Sequence, residues 1–409
     1  MLARTWQDVR LLRPETRRYL VGSALMGMAF SVPWTLFNLY LDRLGFAKAE
    51  IGSVQAAEAW GRALVAIPAA FVLARRRTSP ILAWTAVLAA AGYFALPWLR
   101  SLSVLIAVNL ARGLFDQVHH VAIAPFLFRN TSLKERALAF GLAEAVHTLM
   151  AVLGSFLCGR AVTWWAPYLG SIGDAELQAM AYVLTIVGLL PLAAAFVFAR
   201  IPEAEREPVE KPPVLPALRA NRALVVRFAI PQTLVAFGAG LVIPFLGLYF
   251  QDRFRFSPGS VGTLFAAGHV LMTVGFVLSP AILNAFGYVR GMVLCEFLSI
   301  PFFLVLAFTH SLPLAIGAFL VRGALMNTSQ PILKNFMMEV SPPGLRELQN
   351  GVVGLTWGLG WVLGPLLGGT ILDRTGNDYT WVMVTTVVLY ALASTCTWLL
   401  LRPLERARA

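Results

Sequence analysis

Long apolar stretches separated by short polar connections recur along the whole chain. Each stretch is close to the about 20 residues that an α-helix needs to cross the hydrocarbon core of a bilayer. Twelve such windows occur, at residues 19–41, 50–73, 80–99, 103–128, 137–160, 177–199, 224–251, 259–283, 289–308, 311–338, 346–371 and 379–401. The pattern predicts an all-α polytopic membrane protein with twelve transmembrane helices, numbered as segments 1 to 12.

A repeat with an offset of 210 positions runs through this pattern without a gap. The matched residues are Asp42 and Asp252, Arg43 and Arg253, Phe46 and Phe256, Gly52 and Gly262, Arg112 and Arg322, Gly113 and Gly323, Arg136 and Arg346, Gly154 and Gly364, and Gly159 and Gly369. One unit of about 200 residues is therefore used twice. Prolines and alternating charges at residues 201–222 are typical of a cytoplasmic linker. The predicted domains are six-helix bundles at residues 1–200 and 223–409, joined by that linker.

Composition supports a membrane protein. Apolar residues make up 58% of the chain and charged residues 13%, against about 25% charged residues in a soluble domain. The net charge of +12 comes mostly from arginines on the side of the amino terminus, so the positive-inside rule places both termini in the cytoplasm of a bacterial inner membrane. Anionic lipid headgroups are the expected partners of this charge. A nucleic-acid partner is not expected, because the basic residues occupy separate loops.

The sequence shows no sign of a cofactor or an enzyme. Cys158, Cys295 and Cys396 lie in apolar segments without metal-ligand spacing, so neither a metal site nor a disulfide is expected. The chain has no phosphate-binding loop, no zinc-protease motif and no soluble domain large enough for a catalytic core. A membrane-embedded enzyme that uses Asp116, His119 and His120 stays open as an alternative.

Several local motifs resemble the major facilitator superfamily of transporters. Arg112-Gly113 in segment 4 matches the position of the family's membrane-embedded arginine, and residues 358–369 of segment 11 are similar to the glycine–proline motif of its exporters. Two six-helix halves related by a parallel repeat also look like that family. The connection from Ala74 to Pro80 has three arginines but lacks the aspartate that the family usually carries there. The resemblance implies a fold of two pseudo-symmetric six-helix bundles.

Segment 4 carries the densest set of ionisable side chains. Arg112, Asp116, His119 and His120 are spaced by four, three and one, so Arg112, Asp116 and one histidine share a helix face. Charged residues inside a membrane segment are functional candidates, and a carboxylate with imidazoles can carry protons. Glu144 and His147 in segment 5 are candidates for the same network. The alternative is a permanent structural pair of Arg112 and Asp116, with Glu144 neutralising the arginine.

A second set of residues forms the predicted substrate cavity, because the resemblance implies that segments 1, 4, 7 and 10 line it. The candidates are Trp34, Asn38, Gln232, Tyr249, Arg322, Asn327, Gln330 and Lys334, together with Trp357 and Trp361 of segment 11. An apolar and aromatic lining with few polar groups suits an amphipathic solute. For each aromatic residue the alternative is ordinary packing or an interfacial belt, and Lys334 either meets an anionic group or reaches the cytoplasmic interface.

Prolines and glycines within the segments supply candidate hinges, namely Pro33, Pro244, Gly364 and Pro365. Kinked helices at a repeat interface suit alternating access. The sequence therefore predicts a monomeric secondary transporter of a small organic, amphipathic solute, with proton-coupled export as the first choice. Uptake or facilitated movement of a lipid-like or anionic metabolite is the alternative within transport. A membrane receptor without flux is the alternative outside it.

Overall fold

A computed structural model describes residues 12–131, 133–169, 174–202, 219–342 and 346–406. These residues form twelve helical segments and no strand. The segments are α1 (Pro14–Arg43), α2 (Lys48–Arg75), α3 (Thr78–Ala95, extended by a 3₁₀ turn at Leu96–Trp98), α4 (Leu102–Asn130), α5 (Leu133–Trp165), α6a (Ala175–Val187), α6b (Leu189–Ala199), α7a (Arg222–Val242), α7b (Leu246–Phe254), α8 (Pro258–Phe286), α9 (Tyr288–Phe308), α10 (Leu312–Val340), α11 (Arg346–Arg374) and α12 (Tyr379–Arg406), with α6a/α6b and α7a/α7b each counted once. The predicted all-α architecture with twelve helices is confirmed.

Ten of these helices, within the described residues, are long and apolar enough to cross a membrane. The two others are α2 and α4, which carry the charged residues Glu58 and Arg62, and Arg112 and Asp116, respectively. Most helices extend a few residues beyond the apolar windows, because backbone hydrogen bonding continues into the polar ends. The chain is a multi-pass integral membrane protein.

The four candidate hinges lie in different helical environments. Pro244 sits in a 3₁₀ turn at Ile243–Phe245 that separates α7a from α7b. This interruption follows from the missing N–H of proline, which removes one hydrogen bond of the helix ladder. Pro33 and Pro365 lie inside the continuous helices α1 and α11. Gly364 is in close contact with the backbone of α7a at Gly240.

The described chain forms two compact units. The first comprises Met1–Leu44, Trp60–Val209 and Ser257–Ala266, and the second comprises Gly45–Ala59, Glu210–Phe256 and Ala267–Ala409. In the first unit, α1 packs on α5 and α6b, and α3 packs on α4 and α6b. In the second unit, α7a packs on α11 and α12, and α9 packs on α10 and α12. The same packing scheme therefore appears in both, as the repeat predicts.

Repeat-related glycines allow close helix contacts in the second unit. A Cβ atom added to Gly52 on α2 would lie well under 3.0 Å from the carbonyl oxygen of Pro365 on α11, and one added to Gly369 would meet the carbonyl of Lys48 in the same way. The first turn of α2 is also capped from α11, since the backbone N–H of Lys48 donates to Asp373 over 2.9 Å. Only glycine fits at both positions.

The first unit contains the matching pair of contacts. A Cβ atom at Gly262 on α8 would collide with the carbonyl oxygen of Ser155 on α5, and one at Gly159 would collide with that of Pro258. Each of these four residues lies 210 positions from its counterpart in the second unit. Gly52, Gly159, Gly262 and Gly369 are thus places where the repeat marks a contact between two helix backbones.

Candidate functional site

Arg112 and Asp116 form a buried ion pair within α4. Nη1 of Arg112 lies 3.0 Å from Oδ2 of Asp116, and the two residues are 2% and 3% exposed. The spacing of four residues places both side chains on one helix face, as the sequence predicts. Arg112 Nε also donates to Oδ1 of Asn109 over 3.0 Å, one turn earlier on the same helix. A cation inside a membrane helix is thus held by two partners from its own helix.

Tyr93 on α3 joins this pair from a neighbouring helix. Its hydroxyl accepts from Arg112 Nη1 over 3.2 Å and donates to Asp116 Oδ2 over 3.2 Å. The Arg112 guanidinium lies 5.2 Å from the centroid of the same ring. The backbone of Gly92 leaves room for the aliphatic stem of the arginine. Tyr93 was not among the predicted site residues, because no spacing along α4 indicates which residue of α3 faces it.

Three histidines form a cluster about one helical turn further along α4. The ring centroids of His119 and His120 are 5.9 Å apart, and those of His120 and His147 on α5 are also 5.9 Å apart. Since Asp116 and His120 differ by four residues, they are separated by about 6 Å along the helix axis. The structure therefore brings together His119, His120 and His147, which the sequence predicts as one network.

Aromatic side chains surround the histidine cluster. Tyr19 on α1 stacks on Phe126 with centroids 4.2 Å apart, and its ring lies 6.1 Å from His119. Phe30 on α1 faces His120 at 6.0 Å, and the guanidinium of Arg62 on α2 lies 4.6 Å above the ring of Phe30. Phe30 thus contacts both an imidazole and a guanidinium. Glu144 lies on α5, but its side chain is outside the described part of the chain.

The predicted cavity residues of α1 and α7 are largely buried. Asn38 is 7% exposed, and Trp34 stacks on Phe30 with centroids 6.2 Å apart. Gln232 on α7a is 2% exposed. Tyr249 on α7b is fully buried, and its hydroxyl donates to the carbonyl oxygen of Leu306 over 2.7 Å. The polar group of Tyr249 is thus engaged by the backbone of α9.

The predicted residues on α10 and α11 lie in varied environments. Asn327 donates through its side-chain amide to the carbonyl oxygen of Gly323 over 2.8 Å, within the same helix. Gln330, Trp357 and Trp361 are half-buried and Lys334 is exposed.

Arg322 on α10 is buried in the second unit, with 5% of its surface exposed. Its guanidinium lies 4.7 Å from the ring centroid of Phe303 on α9 and beside the hydroxyl of Tyr390 on α12. Among the described residues no group of histidine, cysteine, aspartate and glutamate is arranged to hold a metal ion. Cys158, Cys295 and Cys396 are free thiols.

Comparisons with known proteins place this geometry in a family. The family model described as Major Facilitator Superfamily matches residues 19–283 and 228–409, which together span nearly the whole chain. No curated protein sequence matches the chain at a significant level.

Three solved structures share the fold. A bacterial homolog of the human lysosomal transporter Spinster, in an inward-facing and unoccupied conformation, has a TM-score of 0.80 and 16% identity, covering 96% of this chain and 98% of that one. The nucleoside transporter NupG has a TM-score of 0.78 and 15% identity, covering 95% and 99%. A bacterial homologue of the iron transporter ferroportin has a TM-score of 0.67 and 13% identity, covering 94% and 98%. With the family model matching both halves, this chain belongs to the Major Facilitator Superfamily of membrane transporters.

Proposed function

We propose that this protein is a proton-coupled secondary transporter that exports a small amphipathic organic solute by alternating access. The observation that carries the proposal is the buried site of Arg112, Asp116 and Tyr93 on α3 and α4, one turn from three histidines. Ionisable residues inside membrane helices commonly mark ion pathways and proton relays.

The ion pair gives a physical route from proton binding to movement. With Asp116 ionised, Arg112 has its counter-charge at 3.0 Å within the same helix. A proton bound to Asp116 removes the negative charge that lies 3.0 Å from the buried guanidinium of Arg112, which is a costly state. The protein relieves this cost by changing the surroundings of Arg112. Tyr93 can follow the change, since a hydroxyl both donates and accepts.

The histidine cluster provides a path for the proton. A neutral imidazole accepts a proton at one nitrogen and releases one from the other, so adjacent rings can pass protons along. Ring centroids 5.9 Å apart bring His119, His120 and His147 into edge-to-face contact, so a small side-chain rotation suffices to pass a proton between rings. Two protons on neighbouring rings would repel each other strongly in an apolar environment, so the cluster carries one proton at a time.

The solute class is inferred from the lining residues. The candidates in each unit are mostly aromatic or amide side chains, which offer flat apolar area and few hydrogen bonds. The proteins of similar fold include a homolog of a lysosomal transporter and a nucleoside transporter, so fold alone leaves the solute open. The aromatic lining favours an amphipathic molecule over a sugar-like one.

We further propose a monomer in a bacterial inner membrane, with both termini in the cytoplasm and bundles at residues 1–200 and 223–409 as the moving bodies.

Anionic lipid headgroups are the proposed partners of the basic termini. Arg17, Arg18 and Arg200 line a surface groove beside Phe196, and Arg18 donates to the carbonyl oxygen of Arg200 over 2.7 Å. This arrangement suits a phospholipid, because the arginines can bind its phosphate while the apolar groove holds its acyl chain.

The test is flux in proteoliposomes under an imposed pH gradient. Three probes of different chemistry are offered: tetraphenylphosphonium as an amphipathic cation, lysophosphatidylcholine as a lipid-like amphiphile and uridine as a polar solute. Export predicts that tetraphenylphosphonium or lysophosphatidylcholine moves in the direction opposite to that of the proton. Internal pyranine fluorescence reports the proton movement. Movement in the same direction as the proton would instead identify uptake.

Two variants decide whether the proposed proton site is correct. Asp116→Asn and His120→Ala are expected to abolish gradient-driven accumulation while leaving solute exchange without a gradient. Asp378→Asn and His310→Ala, at exposed positions outside the site, serve as controls and should behave like the parent. If both site variants keep gradient-driven flux and its pH dependence, the proton site is wrong.

A further inference from the structure

The second unit contains a buried carboxyl group that the proposed function does not use. Glu296 on α9 is 2% exposed, and its Oε2 atom accepts no hydrogen bond from another described residue. Its carboxyl group lies beside the hydroxyls of Ser394 and Thr397 on α12. Within the described part of the chain, no ammonium, guanidinium or imidazole group forms an ion pair with Glu296.

A carboxylate in this position has few ways to exist. An ionised carboxylate in the interior of a membrane protein is costly unless a cation or several donors compensate its charge. The hydroxyls of Ser394 and Thr397 each supply one proton at most, and that of Thr397 already donates to the carbonyl oxygen of Ala393 over 3.0 Å. A proton on the carboxyl group removes the cost directly and makes the group a hydrogen-bond donor.

The groups that face Glu296 from its two neighbouring helices include one cation. On α12 the titratable group is Tyr390, which interacts electrostatically with both Glu296 and Arg322, and on α10 it is Arg322, beside the Tyr390 hydroxyl. The rings of Phe303 and Tyr390 meet edge to face with centroids 5.4 Å apart, so they form one wall around the Arg322 guanidinium. On α9 itself the neighbouring titratable group is Cys295.

The first unit also contains a guanidinium, a phenol and a carboxyl group, but they come from different positions. There Arg112, Tyr93 and Asp116 bring a guanidinium, a phenol and a carboxyl group into contact. The repeat carries Arg112 onto Arg322, but it carries Tyr93 onto Phe303.

The carboxyl group is also displaced between the two units. Asp116 corresponds to Met326, and Glu296 corresponds to Ala86, which is 1% exposed in the first unit. Packing at that position is therefore satisfied by a methyl group. In the second unit the phenol is therefore supplied by Tyr390 on α12 and the carboxyl group by Glu296 on α9, at positions that the repeat does not predict.

We propose that Glu296 is a second proton-binding site, in which Tyr390 bridges the carboxyl group to Arg322. The proton binds to one carboxyl oxygen of Glu296 and leaves from it, with no other bond formed or broken. After the proton has left, the hydroxyls of Ser394 and Tyr390 are the donors available to the carboxylate, and Thr397 joins them only by giving up its bond to Ala393. This site goes beyond the function proposed above, because it binds its proton whether or not Asp116 couples protons to flux.

Infrared difference spectroscopy of the purified full-length protein tests the site without any transported solute. At neutral pH the parent should show the C=O stretch of a buried carboxylic acid, which disappears in Glu296→Gln and persists in the exposed control Glu339→Gln. Glutamine closely resembles a protonated glutamate in shape, so the thermal unfolding midpoint of Glu296→Gln should match that of the parent. A carboxylic acid band that persists unchanged in Glu296→Gln, or the absence of such a band from the parent together with a lowered midpoint in Glu296→Gln, would overturn the proposal; the second result would identify Glu296 as an ionised structural residue.

Two further variants keep the test decisive. Tyr390→Phe retains the ring but removes the bridging hydroxyl, so it should move both the frequency of the band and the pH at which the band disappears. An unchanged band and pH in Tyr390→Phe would refute the bridge. Asp116→Asn should leave the band in place even if it abolishes coupled flux, so failure of this site and failure of the proposed function give different results.

Discussion

Replacing Asp116 with methionine tests how far the buried pair on α4 supports the fold. The repeat itself suggests this substitution, because Met326 occupies the equivalent position. In Asp116→Met, Arg112 keeps its hydrogen bonds to Asn109 and Tyr93, at 3.0 and 3.2 Å, but loses the carboxylate at 3.0 Å. The bonds to Asn109 and Tyr93 already exist in the parent, so they do not offset the loss. Breaking a buried pair costs about 3 to 5 kcal/mol, and we expect about 3 kcal/mol here.

The double variant Arg112→Met/Asp116→Met separates the cost of an uncompensated charge from the value of the pair. Replacing both partners of a buried pair by apolar residues is often close to neutral, so the double variant should recover most of the lost stability. Unfolding in mixed dodecyl maltoside and dodecyl sulfate micelles, followed by tryptophan fluorescence, measures the parent, the single variants Asp116→Met and Arg112→Met, and the double variant. The control is Arg43→Met, which removes ion pairs with Asp174 and Glu176; all three side chains are partly exposed, so each pair should contribute about 1 kcal/mol or less. If the two single variants each lose under about 1 kcal/mol and add up in the double variant, the argument fails.

Three further substitutions address packing and capping, with the same unfolding assay. Gly369→Ala should lower the free energy of unfolding by about 1 to 3 kcal/mol, because its Cβ would collide with a backbone carbonyl. The control Gly354→Ala has open space around it and should leave stability unchanged or raise it by up to about 1 kcal/mol. Equal effects of the two substitutions would contradict the close contact. Tyr249→Phe should lose about 1 kcal/mol with the hydrogen bond to Leu306, and no loss would show that water replaces this bond. Asp373→Ala should lose about 0.5 to 2 kcal/mol by uncapping the first turn of α2, while Asp373→Asn retains most of that stability; a neutral alanine variant would refute the capping role.

Part of the candidate site could be predicted because it lies on one helix. Arg112 and Asp116 are four residues apart, and helical geometry alone brings them together. The grouping of His147 with His120 was also predicted, since α4 and α5 are consecutive and both carry polar residues at the same depth. Tyr93 was missed, because the sequence does not say which residue of α3 faces Arg112.

Glu296 and Tyr390 show the limit of the repeat as a guide. Comparing residues 210 positions apart identifies what was kept, such as Arg322, and what was lost, such as the carboxylate opposite Met326. It cannot identify a carboxyl group on another helix that shares a tyrosine neighbour with the same arginine. Only the packing of α9 on α10 and α12 shows that Tyr390 in the second unit interacts with both a buried carboxyl group and a buried arginine.

The sequence by itself determined that the chain crosses a membrane through twelve helices in two related halves, since apolar length and periodicity follow from local residue order. It also determined the pairing of Arg112 with Asp116, which depends on helical spacing alone. Tertiary structure decided which side chains of different helices meet, including Tyr93 with Arg112 and Tyr390 with Arg322. It also requires glycine at positions 52 and 369, where backbone carbonyls of a neighbouring helix leave no room for a Cβ atom. The physical reason is that contacts between helices depend on their rotation and depth, which are set by packing over the whole bundle.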